Sequence, residues 1–500
     1  MDWSPKNAAS ALSSSSKTVI VVFLVLLLGG FFSTRWIDTS SFGSSSSNTS
    51  LFTAIFSSTH LRQSITIPSS KQKPYGPLTC PLQNNTCPSP LEHTLVPLLT
   101  PTATTPPPPS CPAFFRWIYE DLRPWSSTGI TRDMVEGARG KANFRLVMVG
   151  GRTYLDKYHG AFQTRDVFTL WGFLQLLRQY PGRVPDLDLM FNLDDLPVVR
   201  AADYRPGEAP PPLFRYCKDD STVDIVFPDW SFWGWPEVNI KPWEVLLEEL
   251  KKGNERVKWK HREPHAYWKG NPWVSPTRQD LIKCNVSDTN DWNARLYSQD
   301  WVQETRGGFK SSDLASQCTH RYKIYIEGRA WSVSEKYILA CNSPTLLVNT
   351  GFRDFFTRGL MPGQHYLPIR SDDKCRSIKS AVDWGNSHQK KAQAVGKEGS
   401  RFVQEELKME YVYDYMLHLL SEYSKLLRYR PSVPEGAVEL CPESMACPRG
   451  GREKEYMAGS AVKAPRDAEP CAIPAPFSPG ELQEFLRSKD DAVAQVEKWN

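Results

Sequence analysis

Two short apolar runs, residues 144–149 (FRLVMV) and 187–192 (LDLMFN), read as strands, and from Val167 to Gln179 the apolar residues recur at helical spacing. Strand, helix, strand predicts a βαβ unit of a parallel sheet. A second alternation begins at Arg321 with the strand RYKIYIEG, a short helix from Val333 to Cys341, and the strands TLLVNT from Thr345 and HYLPI from His365. Two α/β domains in series are expected, with a boundary near residues 245–265. Ahead of them, helical spacing runs from Phe114 to Leu122, and Thr131 is placed to cap a helix starting at Arg132. Two long helices follow, around Ser387 to Glu406 and Tyr411 to Leu427. In the second, Val412, Tyr415, Met416, Leu419, Leu420 and Tyr423 form a core-facing stripe. After Pro431 the chain turns rich in Pro, Gly and charge, and only Glu481 to Trp499 regains helical character.

The N-terminal pattern differs. Thr18 to Phe32, TVIVVFLVLLLGGFF, carries no charge. It is shorter than the ~20 residues of a full span, but the bulky Phe31-Phe32-Ser33-Thr34-Arg35-Trp36 offers no small-x-small cleavage site. The reading is an uncleaved signal anchor over 18–34, with residues 1–17 cytosolic and the rest lumenal. Residues 35–110, rich in Ser, Thr and Pro and ending TPTATTPPPPS, read as a disordered stem, since they hold too little apolar surface to order themselves. The ordered region is then 111–430, and 431–500 is a Pro- and Cys-containing C-terminal tail.

Composition sharpens this picture. A chain of 500 residues exceeds the size of one growing core, which agrees with two domains. The net charge of +5 comes from interspersed residues without a basic block, which argues against nucleic acid as a partner. Sequons at Asn48, Asn84 and Asn285 fit a lumenal chain. The 11 cysteines fit an oxidising compartment and, being odd in number, leave at least one unpaired. Cys80 with Cys87 and Cys441 with Cys447 are the plausible local pairs. Without a KDEL-like ending, receptor-mediated retention in the endoplasmic reticulum is not indicated.

Four stretches carry candidate chemistry. FNLDDLP (191–197) puts Asp194 and Asp195 beyond a strand's carboxyl end, where ligands gather in α/β sheets, and Pro197 keeps the segment a loop. FPDWSFWGWPEVNIKPW (227–243) is dense in aromatics; Trp230, Trp233 and Trp235 suit a sugar-binding surface and a buried cluster equally. WKGNPWVSPTRQD (268–280) supplies Asn271, Ser275 and Arg278 for hydroxyls and anions, with Gly270 permitting close approach. In GRAWSVSEKYILAC (328–341), Ser332 and Glu335 fit a capping box whose helix start, with Arg329, Ser334 and Lys336, suits a phosphate. HREPH (261–265) is not a helical metal motif, because Pro264 breaks the helix, and it reads as an exposed loop. Walker, GxGxxG, GxSxG and HExxH patterns are absent.

In this order, FNLDDLP, FPDWSFW, WKGNPWVSPTR, YKIYIEGRAWSVSEKYILAC and LLSEYSKLLRY resemble the Rumi-like protein O-glucosyltransferases and the wider family of capsule-associated xylosyltransferases, in a plant-like form. The resemblance runs from about Cys111 to Pro431. It implies a GT-B architecture, two Rossmann-like domains facing across a cleft, and inverting, metal-independent transfer of glucose or xylose from a UDP-sugar to a protein or glycan hydroxyl in the Golgi or endoplasmic reticulum. No cofactor is implied. The family's Asn-x-x-Asp-x-Pro pattern makes Asp195 the base, and Asp194 stands where some animal members carry arginine. Animal members also carry an arginine near Ser334, so diphosphate neutralisation here falls to Arg278, Lys336 or Arg329. Two competing readings are a non-catalytic carbohydrate-binding or scaffold protein, and a metal-dependent transferase using both aspartates. The second is disfavoured because adjacent side chains on an extended segment point apart.

Overall fold

The computed structural model describes residues 74–76, 78, 80, 87, 107–205, 207–348 and 350–498. The anchor expected at 18–34, the cytosolic segment, most of the stem, and Asn48 and Asn84 lie outside them. Among the described residues no helix is long and apolar enough to cross a membrane.

Two sheets organise the chain. The first has six strands: β1 (Phe144–Val149), β2 (Arg152–Lys157), β3 (Leu187–Phe191), β4 (Phe214–Arg215), β5 (Ile225–Val226) and β11 (Val438–Leu440), in the order β11-β2-β1-β3-β4-β5. The second has β6 (Glu263–Gly270), β7 (Ala294–Ser298), β8 (His320–Tyr325), β9 (Thr345–Val348) and β10 (Tyr366–Ile369), in the order β10-β9-β8-β6-β7. All its pairings are parallel. The chain is thus mixed α/β.

The expected parallel pairing of residues 144–149 with 187–192 is corrected. β1 runs antiparallel to β3, because an unforeseen hairpin strand, β2, intervenes. Its turn is Gly150-Gly151, with φ of 58° and 75°; these left-handed conformations cost glycine little and match the twist of a two-residue hairpin. Parallel pairing starts only at β3–β4 and continues to β5. HREPH is also corrected. Its second half begins β6, where Pro264 is accommodated near the strand's first residue, beside a register shift between Glu263 and Ala266.

The helical expectations hold closely. Thr131 caps Arg132–Gly137 by accepting the Met134 N–H at 3.3 Å, and helices span Arg165–Gln179, Gln389–Glu405 and Met409–Leu426. Val412, Tyr415, Met416, Leu419, Leu420 and Tyr423 are all fully buried. Lys374–Ser387 is a further helix against the second sheet.

Residues 431–498 are built into the fold. They add β11 to the edge of β2, then the helices Pro442–Ala446, Gly451–Ser460 and Pro479–Glu497. Covalent links fix them. The two expected local cysteine pairs are replaced by crossed ones, Cys80–Cys447 and Cys87–Cys441, joined by Cys111–Cys471, so each bridge ties the N-terminal end of the described chain to its C-terminal segment. Cys284–Cys375 and Cys318–Cys341 brace the second sheet, and Cys217 is the buried free thiol. Five disulfides fit an oxidising, lumenal setting. Next to Cys284, the Asn285 amide pairs both ways with the Leu296 backbone, at 3.2 and 2.9 Å, so this sequon's side chain is already engaged in the folded chain.

Candidate active site

A cavity of about 1050 Å³ opens between the two sheets. Its walls come from the segments following β2, β3, β5, β6, β7 and β8, with Arg452 added from the C-terminal segment; the carboxyl ends of strands are where α/β sheets collect ligands. Asp194, Asp195, Trp230, Trp235, Asn271, Arg278, Arg329 and Ser332 all reach it, so most of the residues singled out from sequence converge.

The aspartates sit on a turn. Asn192 Oδ1 accepts the Asp194 N–H at 2.8 Å and Asn143 Oδ1 accepts the Leu193 N–H at 2.8 Å, which bends the chain away from β3. The Asp195 carboxylate pairs with Arg165 at 3.0 Å. Arg165 is itself buried; it donates to the Leu193 carbonyl at 3.0 Å and lies 4.4 Å from the Trp230 ring centroid. An arginine pinned by a carbonyl and an aromatic face holds the carboxylate's direction. Asp194 is exposed and has no ion-pair partner among the described residues.

Across the cavity, Arg278 is buried without any carboxylate beside it among the described residues. Its guanidinium donates to the Glu327 carbonyl (2.8 Å), the Ile326 carbonyl (3.1 Å), the Asn271 carbonyl (3.4 Å) and Ser332 Oγ (3.1 Å). Burial alone lowers its proton affinity from the ordinary arginine value, and nearby tyrosines oppose this. Positive charge fixed by neutral partners is left available to an anion. Exposed Arg329 lies on the same wall.

Ser275 does not reach the wall. It caps helix Pro276–Ile282, accepting the Arg278 N–H at 3.3 Å, and so sets where Arg278 begins. Gly270 is required by a close approach, since a Cβ there would lie 2.6 Å from the Trp268 ring. Ser334 lines a smaller annex of about 180 Å³ that shares Asn271, Arg278 and Ser332 with the main cavity.

Three expectations are corrected. Trp233 is buried, donates to Tyr413 Oη at 3.0 Å and packs over Gly172, so it belongs to the core. Lys336 is buried away from the cavity, with Nζ 2.6 Å from Ser231 Oγ and 3.6 Å from Asp229, because its long side chain turns to the nearest buried acid. The capping box at Ser332 and Glu335 does not form. Helix Ser334–Leu339 has no side-chain cap, Ser332 Oγ bonds Arg278 and Ser334, and Glu335 turns inward to Tyr325.

Several wall residues escaped the sequence reading: Arg165, Phe162, Glu237, Phe309, Trp331 and Arg452. Arg452 comes from the C-terminal helix Gly451–Ser460, donates to the Pro236 carbonyl at 2.9 Å and lies over Phe309 at 4.6 Å. Nothing local in the sequence marks a residue that reaches a site only through tertiary packing.

Comparison with known proteins decides the family. Residues 107–500 match the model of glycosyl transferase family 90. The chain belongs to this family. It is a UDP-sugar-dependent glycosyltransferase. Among its curated relatives, Protein O-glucosyltransferase 1 of Homo sapiens is 27% identical over 349 residues, covering 67% of this chain and 86% of the relative. The Bos taurus protein of the same name is also 27% identical, over 348 residues with the same coverage. O-glucosyltransferase rumi of Drosophila melanogaster is 24% identical over 358 residues, covering 69% and 84%.

Proposed function

We propose that this family 90 member is a GT-B transferase that moves glucose or xylose from a UDP-sugar to a hydroxyl with inversion, without a bound metal or cofactor, in the lumen of the Golgi or endoplasmic reticulum. One observation carries the reading: a directed carboxylate, Asp195, and an unneutralised buried cation, Arg278, share one cavity between two α/β sheets.

In this scheme Asp195 takes the acceptor hydroxyl's proton as its oxygen attacks the anomeric carbon. The sugar–phosphate C–O bond breaks on the opposite face, and a single displacement inverts the centre. Charge grows on the departing UDP, and Arg278, already fixed in place, stabilises it together with the exposed Arg329. Trp235 offers an aromatic face to the sugars, while Trp230, buried against Arg165, backs the wall. The pairing of Asp195 with Arg165 is made through Oδ1, which leaves Oδ2 to take the acceptor's proton. The relatives' names favour glucose over xylose and protein over polysaccharide as acceptor. A type II membrane anchor at 18–34 completes the proposal. A non-catalytic carbohydrate-binding role would have no use for Asp195 and Arg278 together.

The test is UDP release by the purified lumenal region against a panel of UDP-sugars, with and without EDTA. Turnover with UDP-glucose or UDP-xylose that survives chelation supports the proposal. Turnover with neither, or only after Mn²⁺ is added back, contradicts it.

A further inference from the structure

Beneath the Asp194–Asp195 turn lies a buried polar cradle that the transfer scheme above does not use. Arg215, on β4, is fully buried and donates from Nη2 to the Asp194 carbonyl at 2.7 Å. Its Nε stands 3.9 Å from Asp224, also fully buried, while Nε and Nη1 find no hydrogen-bond partner. The Asp224 carboxylate in turn accepts the Val198 N–H at 3.2 Å and the Val199 N–H at 3.0 Å. Cys217 completes the cradle, its thiol donating to the Asp195 carbonyl at 3.3 Å. The segment from Asp194 to Val199 is therefore gripped at both ends by one buried arginine–aspartate pair and in between by a thiol.

As a stabilising device this is poor value. Burying two charges carries a heavy desolvation cost, apolar replacements of similar volume are often neutral or stabilising, and here two guanidinium nitrogens stay unpartnered. What the pair does achieve is directional: its bonds fix the backbone on both sides of Asp195, at Asp194 just before it and at Val198 and Val199 beyond Pro197. We infer that Arg215 is a positioning residue for Asp195, acting with Asp224 and Cys217 to hold the turn that aims the carboxylate into the cavity. The inference rests on the reading of Asp195 as the base.

The experiment uses the double variant Arg215→Met/Asp224→Asn, which keeps the buried pair neutral, and Arg215→Lys, which keeps the charge but loses the fork. Expected for the double variant are near-wild-type UDP affinity by calorimetry and kcat lowered by about 10- to 100-fold, the order caused by ångström-scale misplacement of a reacting group. Arg215→Lys should show the same split, kcat lowered with UDP affinity retained. Wild-type kcat in either variant overturns the inference, as does a loss confined to UDP affinity. If the double variant does not fold, Arg215→Lys decides by the same criteria. Asp195→Asn is measured alongside: if it remains active, the base reading has failed; if it is inactive while the Arg215 variants behave as wild type, only the present inference has.

Discussion

Replacing Arg278 with methionine removes the one buried cation on the cavity wall that has no acidic neighbour among the described residues, while keeping most of the side chain's volume. Its four neutral acceptors are the carbonyls of Glu327, Ile326 and Asn271 and the hydroxyl of Ser332, at 2.8 to 3.4 Å. Of the four acceptor residues, Asn271 and Ser332 line the cavity and can be resolvated, so the fold should lose only about 1–3 kcal/mol, the cost of a few hydrogen bonds to a charged group. The effect on donor binding should be larger in functional terms. A charge-assisted contact to the diphosphate is worth roughly 2–3 kcal/mol, which is about a 30- to 150-fold rise in the Kd for UDP. Calorimetry with UDP reads the second quantity and thermal unfolding without UDP the first. Arg278→Lys should recover part of the affinity, since a point charge replaces the fork. If Arg278→Met folds and binds UDP as tightly as wild type, the diphosphate does not lie against Arg278 and the donor site has been placed wrongly.

Burial pushes the Glu327 carboxyl up to about 7 and Asp354 likewise to about 7, so the folded chain holds these protons more tightly than the unfolded chain does. Their contribution to stability is therefore full at low pH and falls as pH rises from about 4 through 7; for Glu327 alone this is about 3 kcal/mol at most. Denaturant unfolding at pH 5 and pH 8 should show Glu327→Gln losing less stability across that interval than wild type, and an equal loss would refute the assignment. Peptide mapping without reduction should recover Cys80 linked to Cys447 and Cys87 to Cys441. The double variant Cys80→Ser/Cys447→Ser should lower Tm by several degrees, since closing so long a loop is worth about 2–4 kcal/mol. It should also slow transfer, because the bridge sits just ahead of the helix bearing Arg452. Linkage of Cys80 to Cys87 would contradict the crossed arrangement.

How far the sequence could be read depended on whether a signal was local. Helices announced themselves through period and caps, as Thr131 and the Met409–Leu426 stripe illustrate. β2 was harder. Its sequence, RTYLDK, is half polar because one face of an edge-side hairpin meets solvent, yet the Gly150-Gly151 turn was a readable sign of it. β6 was masked by Pro264, a strand breaker in general but tolerated near a strand's first residue. At the site, Asp195 of FNLDDLP and Arg278 of WKGNPWVSPTR, both singled out by local pattern, line one cavity. What failed were inferences about where long or amphipathic side chains turn: Lys336 toward Asp229, Glu335 toward Tyr325, and Trp233 into the core. Those choices are set by partners distant in sequence, as are the contributions of Arg165 and Arg452.

The central claim is that Asp195, and not an aspartate-bound metal, activates the acceptor. Turnover of wild type, Asp195→Asn and Asp194→Asn, each with and without EDTA, tests it most directly. The account predicts that Asp195→Asn retains folding and UDP binding but loses transfer by about 10²- to 10⁴-fold, the range for a removed acid–base group. Asp194→Asn should be much milder, and EDTA should change none of the three. Equal losses in both variants, or activity abolished by EDTA and restored by Mn²⁺, would contradict it.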